Sequence, residues 1–270
     1  MYRAVFSFLT TLLLIPTVSA QDQPAAAAMP AIPIDTQVID YRDGDTQLQG
    51  YLAMPHGAKA APAVMVVHEW RGLSDYARGR AEMLARQGHV AFACDMYGKG
   101  VFAKDHDEAG KLSGVFFGDR DKMRARAAAG LEVLRGHAAV DKNRLFVMGY
   151  CFGGTTALEC ARAGMPGVRG VASFHGNLTT PLPAKAGAVR ARVMVFHGAE
   201  DQWVGSVPDF QQEMRTAGVD WQFVSFGGAV HSFTVKAAGN DKSSGMAYDE
   251  KADLRSWAML GSFVAECLVD

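Results

Sequence analysis

The chain has 270 residues, 49% of them hydrophobic and 20% charged, with a formal net charge of −1. That balance describes an ordinary globular protein and argues against a polybasic nucleic-acid binder. The basic cluster Lys122, Arg124 and Arg126 stands beside Asp119 and Asp121, which is the pattern of a solvated helix face.

In chain order, MYRAVFSFLTTLLLIPTVSA combines Arg3, a largely apolar stretch from Ala4 to Ile15, and a Val18-Ser19-Ala20 end with small residues where signal peptidase reads. The expectation is a signal peptide over residues 1–20, because the apolar stretch falls short of the roughly 20 residues of a membrane span. QDQPAAAAMPAIP follows without periodicity and reads as a flexible lead-in over 21–35. Residues 36–270 are long enough for one well-buried domain, with no internal repeat and no second linker. Export places the chain in an oxidising compartment, periplasmic or secreted, where Cys94, Cys151, Cys160 and Cys267 meet pairing conditions. Their density is not that of a disulfide scaffold, and if Cys151 stays free at most one bridge remains among the other three.

Short β-branched and apolar runs then alternate with helical periodicity, which predicts parallel strands joined by crossover helices. Strands are expected at Thr46–Met54, Ala61–His68, His89–Asp95, Asn143–Tyr150, Val168–His175, Ala191–Gly198 and Asp220–Phe226. Helices are expected at Ser74–Gln87, Arg120–Gly136, Phe152–Ala163, Pro208–Ala217 and Asp249–Cys267. The central strands are apolar without alternation, as when helices cover both faces of a parallel sheet. The opening QVIDYRDGDTQLQGYLAM alternates and turns at Asp43-Gly44, which predicts an antiparallel start. The fold class is therefore α/β, a mainly parallel sheet with helices on both faces, and its ligand belongs beyond the carboxyl ends of the strands.

At one such end stands MGYCFGGTT. Gly149-Tyr150-Cys151-Phe152-Gly153 follows a strand and opens a helix, the context of a nucleophile elbow with cysteine in place of serine. Glycines two residues before and after leave room for a sharp turn, and the helix N-terminus favours a thiolate and an oxyanion. A thiol needs a base, and the base needs an orienting acid. Asp201 lies just past the strand VMVFHG, with Glu200 beside it as the alternative acid, and His231 lies just past the last strand in a glycine-flanked loop. His197 and His175, also at strand ends, are the competing bases. The chain order nucleophile, acid, base holds throughout. Glu69 in VVHEWRGL is a carboxylate at a fourth strand end, able to approach the thiol from the opposite side. The backbone N–H of Trp70 and that of Phe152 are placed for an oxyanion hole.

HEWRG, GYCFGG, HGAEDQWV, GAVHSF and ACDMYG together resemble the dienelactone hydrolase family of the α/β-hydrolase fold, over about Thr36 to Asp270. The resemblance implies a triad of Cys151, Asp201 and His231, with Glu69 taking the thiol proton when substrate arrives and a thioester hydrolysed by water. It implies a small-molecule ester or lactone substrate and no cofactor or metal, and it puts Tyr97 of DMYG in the possible pocket. Family members hold a substrate carboxylate with an arginine soon after the histidine; here that stretch reads HSFTVKAAG, with Val235 and Lys236, which points away from dienelactone itself. The polar stretch from Gly98 to Asp119 is expected to form part of a mouth over the strand ends. HExxH spacing fails at Gly72 and no CxxC occurs, against a metal site; GxGxxG and a P-loop lysine are missing, against a nucleotide. A non-catalytic binding or thiol-sensing protein is the alternative, and turnover separates the two.

Overall fold

The computed structural model describes residues 32–268. The expected signal peptide and most of the expected lead-in lie outside the described residues. Strand β1 (Ile34–Asp43) starts ahead of the expected Thr36, because Ile34 and Asp35 pair with Pro55 and Met54 of β2 (Thr46–Pro55). The hairpin turns at Gly44, whose φ of 54° is the left-handed conformation that glycine adopts without steric cost.

The other strands are β3 (Ala61–Val67), β4 (Val90–Cys94), β5 (Val140–Tyr150), β6 (Val168–Phe174), β7 (Arg192–Gly198) and β8 (Trp221–Phe226). They form one sheet in the order β1-β2-β4-β3-β5-β6-β7-β8, antiparallel from β1 to β4 and parallel from there on. Side chains on successive residues of a strand serve opposite faces. Met65 and Val67 accordingly enter a core with Met123, Leu131 and Leu158, from helices α3 (Arg120–Gly136) and α4 (Phe152–Arg162). Val64 and Val66 enter the opposite core with Ala81, Leu84, Phe263 and Val264, from α1 (Asp75–Ala85) and α6 (Glu250–Leu268). Helix α5 (Val207–Ala217) adds Phe210 and Met214 to the first core.

The stretch from Gly98 to Asp119 contains a helix that periodicity did not show, α2 (His106–Gly118). Gly110 and Gly114 weaken its intrinsic propensity, and it is started by Asp105, whose side chain accepts from the Glu108 N–H. Arg71 fixes the connection before it by donating to the carbonyls of Ala103 and Lys104. Among the described residues no cysteine is bridged, and Cys94, Cys160 and Cys267 are buried thiols that burial pushes upward. No described helix is long and apolar enough to cross a membrane.

Candidate active site

Cys151 sits between β5 and α4 at φ 54° and ψ −116°, a conformation that costs a non-glycine residue on the order of 1–3 kcal/mol. The surroundings hold it there. Its N–H donates to the Phe174 carbonyl at 2.9 Å, and its carbonyl accepts from the Thr155 N–H at 3.1 Å. A Cβ on Gly149 would lie 2.2 Å from the Gly153 oxygen, and one on Gly153 would lie 2.2 Å from the Val67 oxygen. Both glycines of the elbow are thus required by the packing of α4 against β3 and β5.

His231 is anchored by backbone bonds to Gly245 and from Ala247. Its Nδ1 bonds Asp201 Oδ2 at 2.7 Å, and Asp201 Oδ1 accepts from the Trp203 N–H at 2.9 Å. Glu200, the alternative acid, is exposed. Burial works against a charge on the His231 ring, but the neighbouring Cys151 sulfur as thiolate and the Asp201 bond outweigh it and raise the imidazole to about 10. His175 stacks edge-on against His231, ring centres 4.9 Å apart, with Nε2 on Thr234 Oγ1 at 3.0 Å. Burial holds His175 well below the ordinary histidine range, so it is a neutral neighbour rather than a competing base. His197 packs on Phe223 instead.

Glu69 follows β3 and is partly buried. Burial raises its carboxyl to about 7, with His231 and Arg80 pulling the other way. It is not a wall of the cavity that holds the thiol, but it is close enough to His231 for their charges to interact. His68 pins this turn: its Nδ1 donates to the Glu69 carbonyl at 2.5 Å and its Nε2 accepts from the Met96 N–H at 3.2 Å. Sequence reasoning met His68 only as part of a failed metal motif. Its place immediately before Glu69 was the available signal. Among the described residues neither the Trp70 N–H nor the Phe152 N–H donates to another protein group.

Cys151 and His231 open into one cavity of about 440 Å³, walled by Trp70, Phe117, Phe152, Trp203 and Met246, with Thr155 and Asn177 as neutral polar groups. Trp203 is 48% exposed and lies 5.1 Å from the His231 ring. Tyr97 does not line this cavity, contrary to expectation. Its ring packs between His68, Phe116 and Phe152, and its hydroxyl donates to the Trp70 carbonyl at 2.8 Å, so it positions the Trp70 turn. A larger cavity of about 570 Å³, lined by Tyr76, Arg80, Lys236, Tyr248 and Trp257 among others, holds neither Cys151 nor His231. Lys236 belongs there, so the stretch after His231 brings no cation to the thiol. Among the described residues no three His, Cys, Asp or Glu side chains converge as a metal-ion set.

The sequence model of the dienelactone hydrolase family matches residues 48–268. A putative carboxymethylenebutenolidase of Aquifex aeolicus is 30% identical over 235 residues, covering 84% of this chain and 96% of that protein. A probable 2-oxo-3-(5-oxofuran-2-ylidene)propanoate lactonase of Bradyrhizobium is 30% identical over 216 residues, covering 74% and 85%. Among solved structures, one called m3DLH superposes with a TM-score of 0.83 at 40% identity, covering 87% of this chain and 99% of that one. A dienelactone hydrolase-like promiscuous phosphotriesterase from metagenomic libraries gives 0.82 at 36% identity, with the same coverage. With the match spanning Cys151, Asp201 and His231, the chain belongs to the dienelactone hydrolase family.

Proposed function

We propose that this hydrolase cleaves a small carboxylic ester or lactone with Cys151 as nucleophile, through a thioester. The observation that carries the proposal is the strained elbow cysteine facing an Asp201-supported histidine in one apolar cavity. The sulfur attacks the carbonyl carbon, forming a C–S bond and an oxyanion that rests on the free N–H groups of Trp70 and Phe152. Collapse breaks the C–O bond, and the leaving alkoxide takes a proton from His231. His231 then removes a proton from water, whose oxygen attacks the thioester, and the C–S bond breaks to release the acid and the thiolate. Glu69, raised to about 7 by burial, is poised to take the thiol proton as the sulfur attacks and to return it to the thiolate released at the end of each turnover.

Turnover of activated acyl esters and small lactones by the mature protein, beside Cys151→Ala and His231→Ala, tests this. Loss of turnover in both, with an acyl adduct at Cys151 visible by intact mass, is the expected result. Equal rates in Cys151→Ala remove the thiol from the mechanism. No turnover by the parent protein favours a thiol-sensing or binding role instead. The apolar cavity and the relative described as a promiscuous phosphotriesterase favour adding one phosphotriester to the panel. We also propose export with cleavage after Ala20. A periplasmic or secreted species beginning at Gln21 is expected, and full-length protein confined to the cytoplasm refutes it.

A further inference from the structure

Apart from Cys151 and His231, the walls of the cavity carry no permanent charge. Beyond Cys151 and His231, its remaining titratable group among the described residues is His106 at the mouth, between Asp105 and Asp107. Arg71 is turned away onto the Ala103 and Lys104 carbonyls, and Lys236 lines the other cavity. A cation nevertheless lies immediately behind one wall. The Arg120 guanidinium packs over the Phe117 ring, 4.9 Å from its centre, and Phe117 lines the cavity whereas Arg120 does not. Arg120 is 7% exposed. Its Nη2 donates to the Thr179 carbonyl at 3.1 Å, while its Nε, 3.9 Å from Glu159, has no hydrogen-bond partner among the described residues.

That guanidinium belongs to a cluster with a surplus of positive charge. Glu159 pairs with Arg124 at 2.7 Å and Arg162 at 3.0 Å, and Arg162 also pairs with Glu213 at 2.8 Å. Three arginines, 120, 124 and 162, thus face two carboxylates, 159 and 213, which leaves one positive charge unmatched. Arg120 is the member with the loosest carboxylate contact and the one that Phe117 covers.

We propose that Phe117 is a specificity-determining residue: its ring screens Arg120 from the cavity, so the site accepts uncharged acyl groups and disfavours carboxylated ones. The proposal rests on the reading of Cys151 as nucleophile. Removing the ring opens a path between a substrate carboxylate and a guanidinium that already has a free Nε–H.

The test compares para-nitrophenyl butyrate with mono-para-nitrophenyl succinate, which replaces the terminal methyl of the acyl chain by a carboxylate. The parent protein is expected to prefer the butyrate in kcat/KM by about 100-fold or more, since an unpaired carboxylate resists burial in an apolar cavity. Phe117→Ala should narrow that ratio by about tenfold or more by admitting a close opposite charge. Phe117→Leu, which keeps an apolar cover, should hold the parent ratio. Phe117→Ala with Arg120→Met should restore the wide ratio. Near-equal rates for the parent, or an unchanged ratio in Phe117→Ala, overturn the proposal. Alkylation of Cys151 by iodoacetate and iodoacetamide supplies a readout without turnover: the anionic-to-neutral rate ratio rises in Phe117→Ala if the proposal holds and stays constant if it fails. If no protein turns over either ester yet the alkylation ratio rises, the hydrolase reading fails and the screening role of Phe117 stands.

Discussion

Glu69→Gln separates the effect of this carboxyl on stability from its effect on chemistry. Burial raises the folded-state carboxyl from an ordinary 4.5 to about 7, against the pull of His231 and Arg80. Below pH 4.5 the folded and unfolded chains both carry the proton, and the neutral group stabilises the fold fully. Between pH 4.5 and 7 the unfolded chain has lost its proton while the folded chain keeps it, so stability falls as pH rises. Above pH 7 the loss is complete and amounts to about 3 kcal/mol. Glutamine, isosteric with the protonated acid, has no such titration. The variant should therefore match the parent near pH 4.5 and exceed it by about 2–3 kcal/mol at pH 8.5, in urea unfolding at each pH. Its turnover should drop by about 100-fold, because the proton acceptor for the thiol is gone. A stability difference that does not change with pH would refute the burial argument. Unchanged turnover would return Glu69 to a structural role.

Asp201→Asn should lower kcat by about 100- to 10,000-fold with little change in KM, because the amide no longer fixes the His231 tautomer or supports its charge; a loss confined to KM would contradict this. Gly153→Ala should cost at least about 3 kcal/mol, since the new methyl meets the Val67 carbonyl of β3 and neither backbone can yield. An unaltered melting temperature would show that the elbow is not tightly packed. Glu159→Gln should cost about 3–5 kcal/mol by leaving buried guanidiniums uncompensated, read as a lower urea midpoint at unchanged slope.

The convergence of Cys151, Asp201 and His231 was legible because each stands at a strand end with a local reason for its residue type. Gly149 and Gly153 announced a turn that the backbone contacts require, and the last-strand loop placed His231 where Asp201 meets it. Helix α2 was not legible: Gly110 and Gly114 interrupt its pattern, and its start depends on the Asp105 side chain. The edge contact of His175 with His231 was hidden for a different reason. It joins the end of β6 to the loop after β8, two places with no sequence relation. Tyr97 stayed open between pocket and packing because the position in DMYG fixes which strand end carries it but not which way the ring turns, and three aromatic neighbours claim it.

The buried charges beneath α4 explain how a strained cysteine persists. A left-handed φ at Cys151 relaxes unless the elements on either side are fixed independently. The β5 side is fixed by parallel pairing to β3 and β6. The α4 side is fixed twice, at its start by Gly153 against β3 and further along by Glu159 and Arg162, which tie it to α3 through Arg124 and to α5 through Glu213. Buried ion pairs are weak contributors to net stability but costly to break one-sidedly, which makes them good fixers of geometry. The same cluster supplies the cation behind Phe117. Holding Cys151 in place and the charge preference proposed for its cavity are thus coupled through Arg120 and Glu159, and a change that admits anionic substrates must leave Glu159 compensated if the elbow is to keep its shape.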